Sequence, residues 1–322
     1  MCCKQLKNLL NADDTPRTPV RSERIGEADA GQRIDNFLLR VFKGVPRSRI
    51  YRLLRKGEVR VNGGRVKPEY RLQADDRVRL PPVRGPGKRP GAIAAVPNRR
   101  LETCIVFENE QLLVVDKPAG MAVHGGSGIS QGVIEALRVT RGDELELVHR
   151  LDRDTSGCLM LAKRRRLLRE LHAMLRAGAI EKKYLALVAG DWQQGRRVVD
   201  APLVTHERRG GERIAHVDAA GKPAVSRFRP VQGFRIATLL EVTLETGRTH
   251  QIRVHAAHAG HPVAGDDRYG DRAFNDLMRQ HALRRMFLHA HSLAFDWPGS
   301  GEPFHVSAPL SVELAAVVDS LA

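Results

Sequence analysis

Leu145-Glu146-Leu147-Val148-His149-Arg150-Leu151-Asp152-Arg153-Asp154-Thr155-Ser156-Gly157-Cys158-Leu159-Met160-Leu161-Ala162 is the stretch whose reading decides the fold. Its ends, Leu145 to Val148 and Cys158 to Ala162, read as largely buried β-strands. An ionisable cluster lies between them. A carboxylate held between buried strands loses solvation and needs a cation or hydrogen-bond donors to stay ionised. Asp152, flanked by Arg150 and Arg153, is therefore either a salt-bridged surface group or a chemical tool. Arg253, within Thr249-His250-Gln251-Ile252-Arg253-Val254-His255, is a candidate partner. A dry carboxylate kept ionised by one arginine can act as nucleophile or base.

Further strand-like segments flank this stretch at 111–115, 184–189, 235–244 and 286–295, with helical patterns at about 131–138, 164–176 and 311–321. The body is thus expected to be α+β. Its length of 322 residues allows more than one domain.

Charge divides the chain. The formal net charge is +16 and the pI is near 10.3. Residues 21–100 hold 21 Lys and Arg against 8 Asp and Glu, whereas residues 101–322 hold 29 against 27. A basic front module ahead of a near-neutral body is the asymmetry of a nucleic-acid-binding appendage. In that module Ile34, Phe37, Leu38 and Val41 fall at helical spacing after Asp29 and Gly31. A second helix is expected from Ser48 to Lys56, with Ile50, Leu53 and Leu54 inward, Arg49, Arg52, Arg55 and Lys56 outward, and Gly57 as its stop. Val59-Arg60-Val61, Asn62-Gly63 and Val66 read as a β-hairpin, and Arg77-Val78-Arg79-Leu80 repeats the alternation. Recurrence of one sign on consecutive elements favours RNA or DNA binding over a merely solvated face. Residues 83–100, rich in Gly, Pro and basic residues, read as a flexible linker.

Several chemistries fit poorly. His124-Gly125-Gly126-Ser127-Gly128 has Gln131 where a dinucleotide loop wants glycine, and the chain lacks Gly-Lys-Ser/Thr. His250, His255, His258 and His261 invite a metal reading, but Gly260 and Pro262 take His261 off any helix, so hydrogen-bonding or RNA-facing histidines are the better reading. No Gly-x-Ser-x-Gly elbow exists. No apolar run suits a membrane span or a secretion signal. Cys2, Cys3, Cys104 and Cys158 lack zinc or disulfide spacing, consistent with a reducing cytoplasm.

His149 to Gly157 resembles the signature of the RluA-type pseudouridine synthases. Three further blocks agree in order: Leu113 to Gly120 resembles the family's first motif, Lys182 to Val188 its tyrosine motif, and Thr246 to His255, running on to Gly260-His261-Pro262 and Gly265-Asp266, its third. Where many relatives have proline after the first block's histidine, this chain has Gly125. Gly31-Gln32-Arg33-Ile34-Asp35, Ser48-Arg49 and Lys56 to Gly63 resemble the S4 RNA-binding domain over about residues 31–81. The resemblance implies a small S4-like α/β domain (21–82) after a tail (1–20). A linker (83–100) and a catalytic domain (101–322) with one long mixed, mainly antiparallel sheet follow. It implies isomerisation of uridine to pseudouridine in 23S ribosomal RNA. Asp152 would be the essential carboxylate, and Arg150 would fill the gap left by the flipped nucleotide. Tyr184 would stack on the uracil, and Arg253 would keep Asp152 ionised. Arg33, Arg47, Arg49, Arg52, Arg55 and Lys56 would contact RNA. The reaction is redox-neutral, so no cofactor and no metal is expected. The partners implied are 23S RNA or its assembly intermediates and no membrane, with a monomeric cytoplasmic enzyme. Three other readings stay open: an inactive RNA-binding or ribosome-assembly protein, a synthase acting on another RNA such as tRNA, and a carboxylate hydrolase using Asp154 as second acid.

Overall fold

The computed structural model describes residues 19–27, 29–42, 44–83, 98–125, 131–207 and 213–322. The chain forms two compact units, Met1–Ile93 and Ala94–Ala322. The tail to residue 18, most of the basic linker and Gly126-Ser127-Gly128 lie outside the described residues.

The first unit runs β1 (Arg21–Arg24), α1 (Ile34–Val41), α2 (Arg47–Lys56), β2 (Arg60–Val61) and β3 (Arg77–Leu80). Ile34, Phe37 and Leu38 from α1 and Ile50, Leu53 and Leu54 from α2 form its core with Val78 and Leu80. Gly57 ends α2 in a left-handed conformation, φ 68°, its N–H turned back to the Leu53 and Leu54 carbonyls. The three strands form an antiparallel sheet in the order β1-β3-β2. Here the hairpin expectation is corrected. Asn62 and Gly63 make the tight turn, both with positive φ, but β2 pairs with β3, and only Gly64 bridges back to Val61. The reason is a side-chain latch. The Asn62 amide donates to Asp76 at 2.8 Å and its carbonyl accepts the Arg77 N–H at 2.8 Å, drawing β2 onto β3. Val66 only packs against the core.

The second unit begins with α3 (Arg99–Glu102), β4 (Ile105–Glu108), β5 (Leu112–Lys117), α4 (Val133–Arg141), β6 (Glu146–Leu147) and β7 (Ser156–Ala162). Then come α5 (Arg165–Ala177), β8 (Glu181–Ala189), β9 (Arg197–Asp200), β10 (Leu203–Glu207), β11 (Arg213–Val217), β12 (Val225–Gly233) and β13 (Ala237–Leu244). It closes with α6 (Gln251–His258), α7 (Arg272–Gln280), β14 (Leu288–Asp296), β15 (Pro303–Ser307) and α8 (Val312–Leu321). The α+β expectation holds. A ten-stranded sheet runs β4-β5-β7-β14-β8-β13-β12-β9, with β15 on β14 and β6 on β7. Only β7 and β14 pair in parallel within it; β10 and β11 form a separate ribbon.

Every residue of β7 is buried, which explains its unbroken apolar run. Alternation still sorts its side chains: Leu159 and Leu161 face one cluster, Cys158, Met160 and Ala162 another. Tyr184 and Ala186 of β8 join the first cluster, as do Leu151 and Ile252. One face of the sheet therefore collects residues from all the chemically suggestive stretches. Gly157 makes the entry to β7 possible. It holds φ 106°, and a Cβ there would meet the Ala290 carbonyl oxygen at 2.2 Å, so only glycine allows β14 this close.

Candidate active site

The loop from His149 to Thr155 joins β6 to β7 and is fixed at several points. His149 Nε2 accepts the Met160 N–H at 3.1 Å. The Asp152 carbonyl accepts the Thr155 N–H at 3.2 Å, and the Arg153 carbonyl accepts the Gly120 N–H at 2.9 Å. Lys117, at the end of β5, is fully buried, and its ammonium donates to the carbonyls of Pro118, Met121 and Arg153, each at 2.9 Å. It thereby ties two loops together. Burial pulls its pKa down to about 7, with Asp154 and Asp152 acting against that fall.

Asp152 keeps 21% of its side chain exposed. It lines a cavity of about 110 Å³ together with Arg150, Thr155, Tyr184, His250, Ile252, Arg253 and Leu288. The four residues singled out for chemistry therefore share one cavity, with Arg150 exposed. Tyr184 is buried; burial raises its phenol, and the Asp152 charge adds to this.

Arg253 approaches Asp152 but is held chiefly by a second carboxylate. Its Nη1 lies 3.8 Å from Asp152 Oδ2, beyond hydrogen-bond reach, while Nε and Nη2 each bond Asp266 at 2.7 Å. Asp266 also accepts the N–H groups of Arg268 and Tyr269. Burial would raise the Asp266 pKa, but the bonds from Arg253 and these N–H groups hold it below the ordinary carboxylate value. The Tyr269 ring supports the guanidinium at 4.9 Å. Arg253 is thus a fixed cation whose third nitrogen faces Asp152. Asp266 and Lys117 fall within the motif blocks but were assigned no role from sequence, and Tyr269 was not singled out. Their roles come from backbone turns that bring carbonyls and carboxylates to a cation, which leaves no spacing signal.

The lead into α6 is organised by Gln251. Its Oε1 accepts the Thr246 hydroxyl and the Arg248 N–H, and its amide donates to the Val225 carbonyl and Ser226 Oγ. His255 bonds Ser226 Oγ and the Ala201 carbonyl, and His261 bonds the Ala189 carbonyl. Among the described residues no three His, Cys, Asp or Glu side chains are grouped to hold a metal ion.

On the other side of Arg253 lies a larger groove of about 850 Å³, whose walls include Arg153, Arg268, Arg279, Arg284 and Arg285. In the first unit Arg47, Arg52, Arg55 and Lys56 are exposed on α2 and Arg49 is half-buried. Arg33 is partly exposed and forks onto buried Asp35 at 2.8 and 3.1 Å. A cleft beside α2 is lined by Tyr51, Arg55, Arg65 and Lys67.

Known proteins resemble both units. Residues 111–258 match the family model for RNA pseudouridylate synthase, and residues 32–78 match that for the S4 domain. The chain is 55% identical over 306 residues to ribosomal large subunit pseudouridine synthase C of Pasteurella multocida, covering 94% of each chain. It is 50% identical over 313 residues to the protein of that name from Escherichia coli K12, covering 95% of this chain and 98% of the relative. Among solved structures, Human RNA Pseudouridylate Synthase Domain Containing 4 shares the fold with a TM-score of 0.58 at 22% identity, over 69% of this chain and 94% of its own. Human RNA Pseudouridylate Synthase Domain Containing 1 gives 0.55 at 26% identity, over 66% and 86%.

Proposed function

Because the chain belongs to the RNA pseudouridylate synthase family, we propose that it isomerises uridines of large-subunit ribosomal RNA to pseudouridine, acting on 23S RNA or its assembly intermediates in the cytoplasm. Near-full-length identity to synthases named for the large ribosomal subunit supports the substrate. The observation that carries the chemistry is the convergence of Asp152, Tyr184 and Arg253 on one cavity with Arg150 at its exposed side.

In the reaction the N1–C1′ bond breaks, the uracil turns, and a C5–C1′ bond forms. The proton leaves C5 and N1 ends protonated, so no atom is gained or lost. Asp152 serves either as nucleophile at C1′ or as base for a sugar proton; both need an ionised carboxylate with uncommitted electron pairs. Arg253, held by Asp266, keeps its third nitrogen 3.8 Å from Asp152 Oδ2 and so places a fixed cation beside the reacting carboxylate. Tyr184 stacks on the uracil, and Arg150 enters the gap in the RNA stack. Backbone binding is shared between the basic face of α2 and the arginine groove beside Arg253, through phosphate contacts without base readout.

Asp152→Asn is the direct test. It preserves shape and removes the charge. Release of tritium from 5-tritiated uridine in 23S RNA should fall about 10⁴-fold or more, while RNA affinity stays at the unsubstituted level. Undiminished release would refute the mechanism, and free uracil among the products would make the protein a hydrolase.

A further inference from the structure

His250 breaks two local preferences at the start of α6. It occupies the N-cap, where a short polar side chain would bond the first turn, yet its ring makes no such bond. It also holds φ 57°, a left-handed conformation unusual for a residue with a Cβ. Strain of this kind persists only where surrounding contacts over-determine it. Three contacts do so here. Nδ1 lies 2.9 Å from Tyr269 Oη. The two rings meet edge-on, centroids 5.5 Å apart. Nε2 lies 3.8 Å from Asp152 Oδ2, the oxygen that Arg253 Nη1 also approaches at 3.8 Å.

The tautomer follows from the protons available. Tyr269 Oη accepts the Ala215 N–H of β11 at 2.9 Å. Its own proton then goes to His250 Nδ1, its other polar neighbour among the described residues. With Nδ1 accepting, the neutral ring carries its proton on Nε2, facing Asp152. The opposite tautomer would set a lone pair against the carboxylate and leave the Tyr269 proton without an acceptor. The groups around the ring are Asp152 from the loop before β7, Arg253 from α6, and Asp266, Arg268 and Tyr269 from the turn before α7. Burial lowers the His250 pKa and Asp152 opposes this; Arg253 and Arg268 add to the fall, and Asp266 opposes it. Burial and the proton donated by Tyr269 to Nδ1 both favour the neutral ring.

We propose that His250 is a positioning residue for Asp152. Tyr269 fixes its tautomer, and its Nε2–H orients the carboxylate through Oδ2 as the uridine is seated. The present 3.8 Å is too long for a hydrogen bond, as such contacts often are before substrate binds. The proposal rests on Asp152 being the reacting carboxylate.

Three variants test it in tritium release from 23S RNA, with kcat and KM measured. His250→Leu should lower kcat about 10²-fold with KM unchanged. His250→Gln, whose amide returns an N–H near Nε2, should recover most of that loss. Tyr269→Phe keeps the ring under Arg253 but removes the hydroxyl. It should lower kcat about tenfold with KM unchanged, because Nδ1 loses its proton donor and the tautomer with Nε2–H toward Asp152 is no longer fixed. Adding Tyr269→Phe to His250→Leu should change nothing further. Urea midpoints near that of the unsubstituted protein identify folded variants, and His250→Asn, which tolerates the left-handed backbone, replaces His250→Leu if that variant is unfolded. A folded His250→Leu or His250→Asn with full kcat overturns the proposal. So does a Tyr269→Phe loss that adds to the His250→Leu loss, or failure of His250→Gln to recover activity. If Asp152→Asn remains active, the underlying reading fails instead, whatever His250 does.

Discussion

The two units each bury an aspartate against an arginine, and they use the pair in opposite ways. In the first unit Asp35 is saturated: Arg33 forks onto it, Tyr51 donates at 2.8 Å and the Asn36 N–H at 2.9 Å. In the second unit saturation falls on Asp266, which takes both short bonds from Arg253, and Asp152 is left with a nitrogen at 3.8 Å. A carboxylate with all its lone pairs engaged is a structural fastener. One beside a cavity, with no short bond among the described residues, keeps electron pairs for a substrate. Proximity of Asp to Arg does not separate these cases; the number of short donors does.

The sharpest way to break this comparison is to remove the saturated member of the body's pair. Asp266→Asn leaves the Arg253 charge buried without its counter-ion. It should cost about 3–5 kcal/mol in urea unfolding and lower tritium release even where the protein stays folded. A stable, fully active variant would mean that Asp152 alone positions Arg253. The matching change in the first unit, Asp35→Asn, should cost only about 1 kcal/mol, because Arg33 is partly exposed and solvent screens the pair. It also has a pH signature. Burial raises the Asp35 pKa, but the bonds from Arg33 and Tyr51 bring it below its ordinary 3.8. Its contribution is therefore present above about pH 4 and is lost as pH falls through the folded value. Acid titration of stability should lose that portion in Asp35→Asn. The smallest effect on stability is expected on the exposed face of α2. Arg52→Gln with Arg55→Gln should leave unfolding unchanged and reduce the salt slope of RNA binding by about 1–2. An unaltered slope would assign the phosphate contacts to the groove beside Arg253.

Particular elements show how much was legible. β5, β7, β8, β13 and β14 lie where the strand-like segments put them, and α4, α5 and α8 lie within a few residues of their expected spans. α6 was missed as a helix. Ile252, Val254 and Ala256 alternate as strand residues do, and because Gln251 to Ala256 are all buried, no amphipathic period survives. α7 offers one apolar turn, Phe274 with Met278, too little to stand out. β9, β10 and β11 were missed because short strands with many polar residues resemble loops, and β12 because its run of Ser226, Arg227, Arg229, Pro230 and Gln232 breaks the apolar pattern. The candidate site was legible in part. Asp152, Tyr184, Arg150 and Arg253 share a cavity, whereas the fork of Arg33 onto Asp35 left no signal in the spacing.

By itself the sequence determined the division into a basic front and a near-neutral body, the α+β class, and the stretch around Asp152. These depend on composition, local periodicity and residue order, which survive without coordinates. Only the tertiary structure decided that Arg253 is held by Asp266, that Lys117 clamps the loop carrying Asp152, and that His250 faces the same carboxylate oxygen as Arg253. Hydrogen bonds form with whichever groups the packed backbone brings within about 3 Å, and packing sets that choice between residues far apart in the chain.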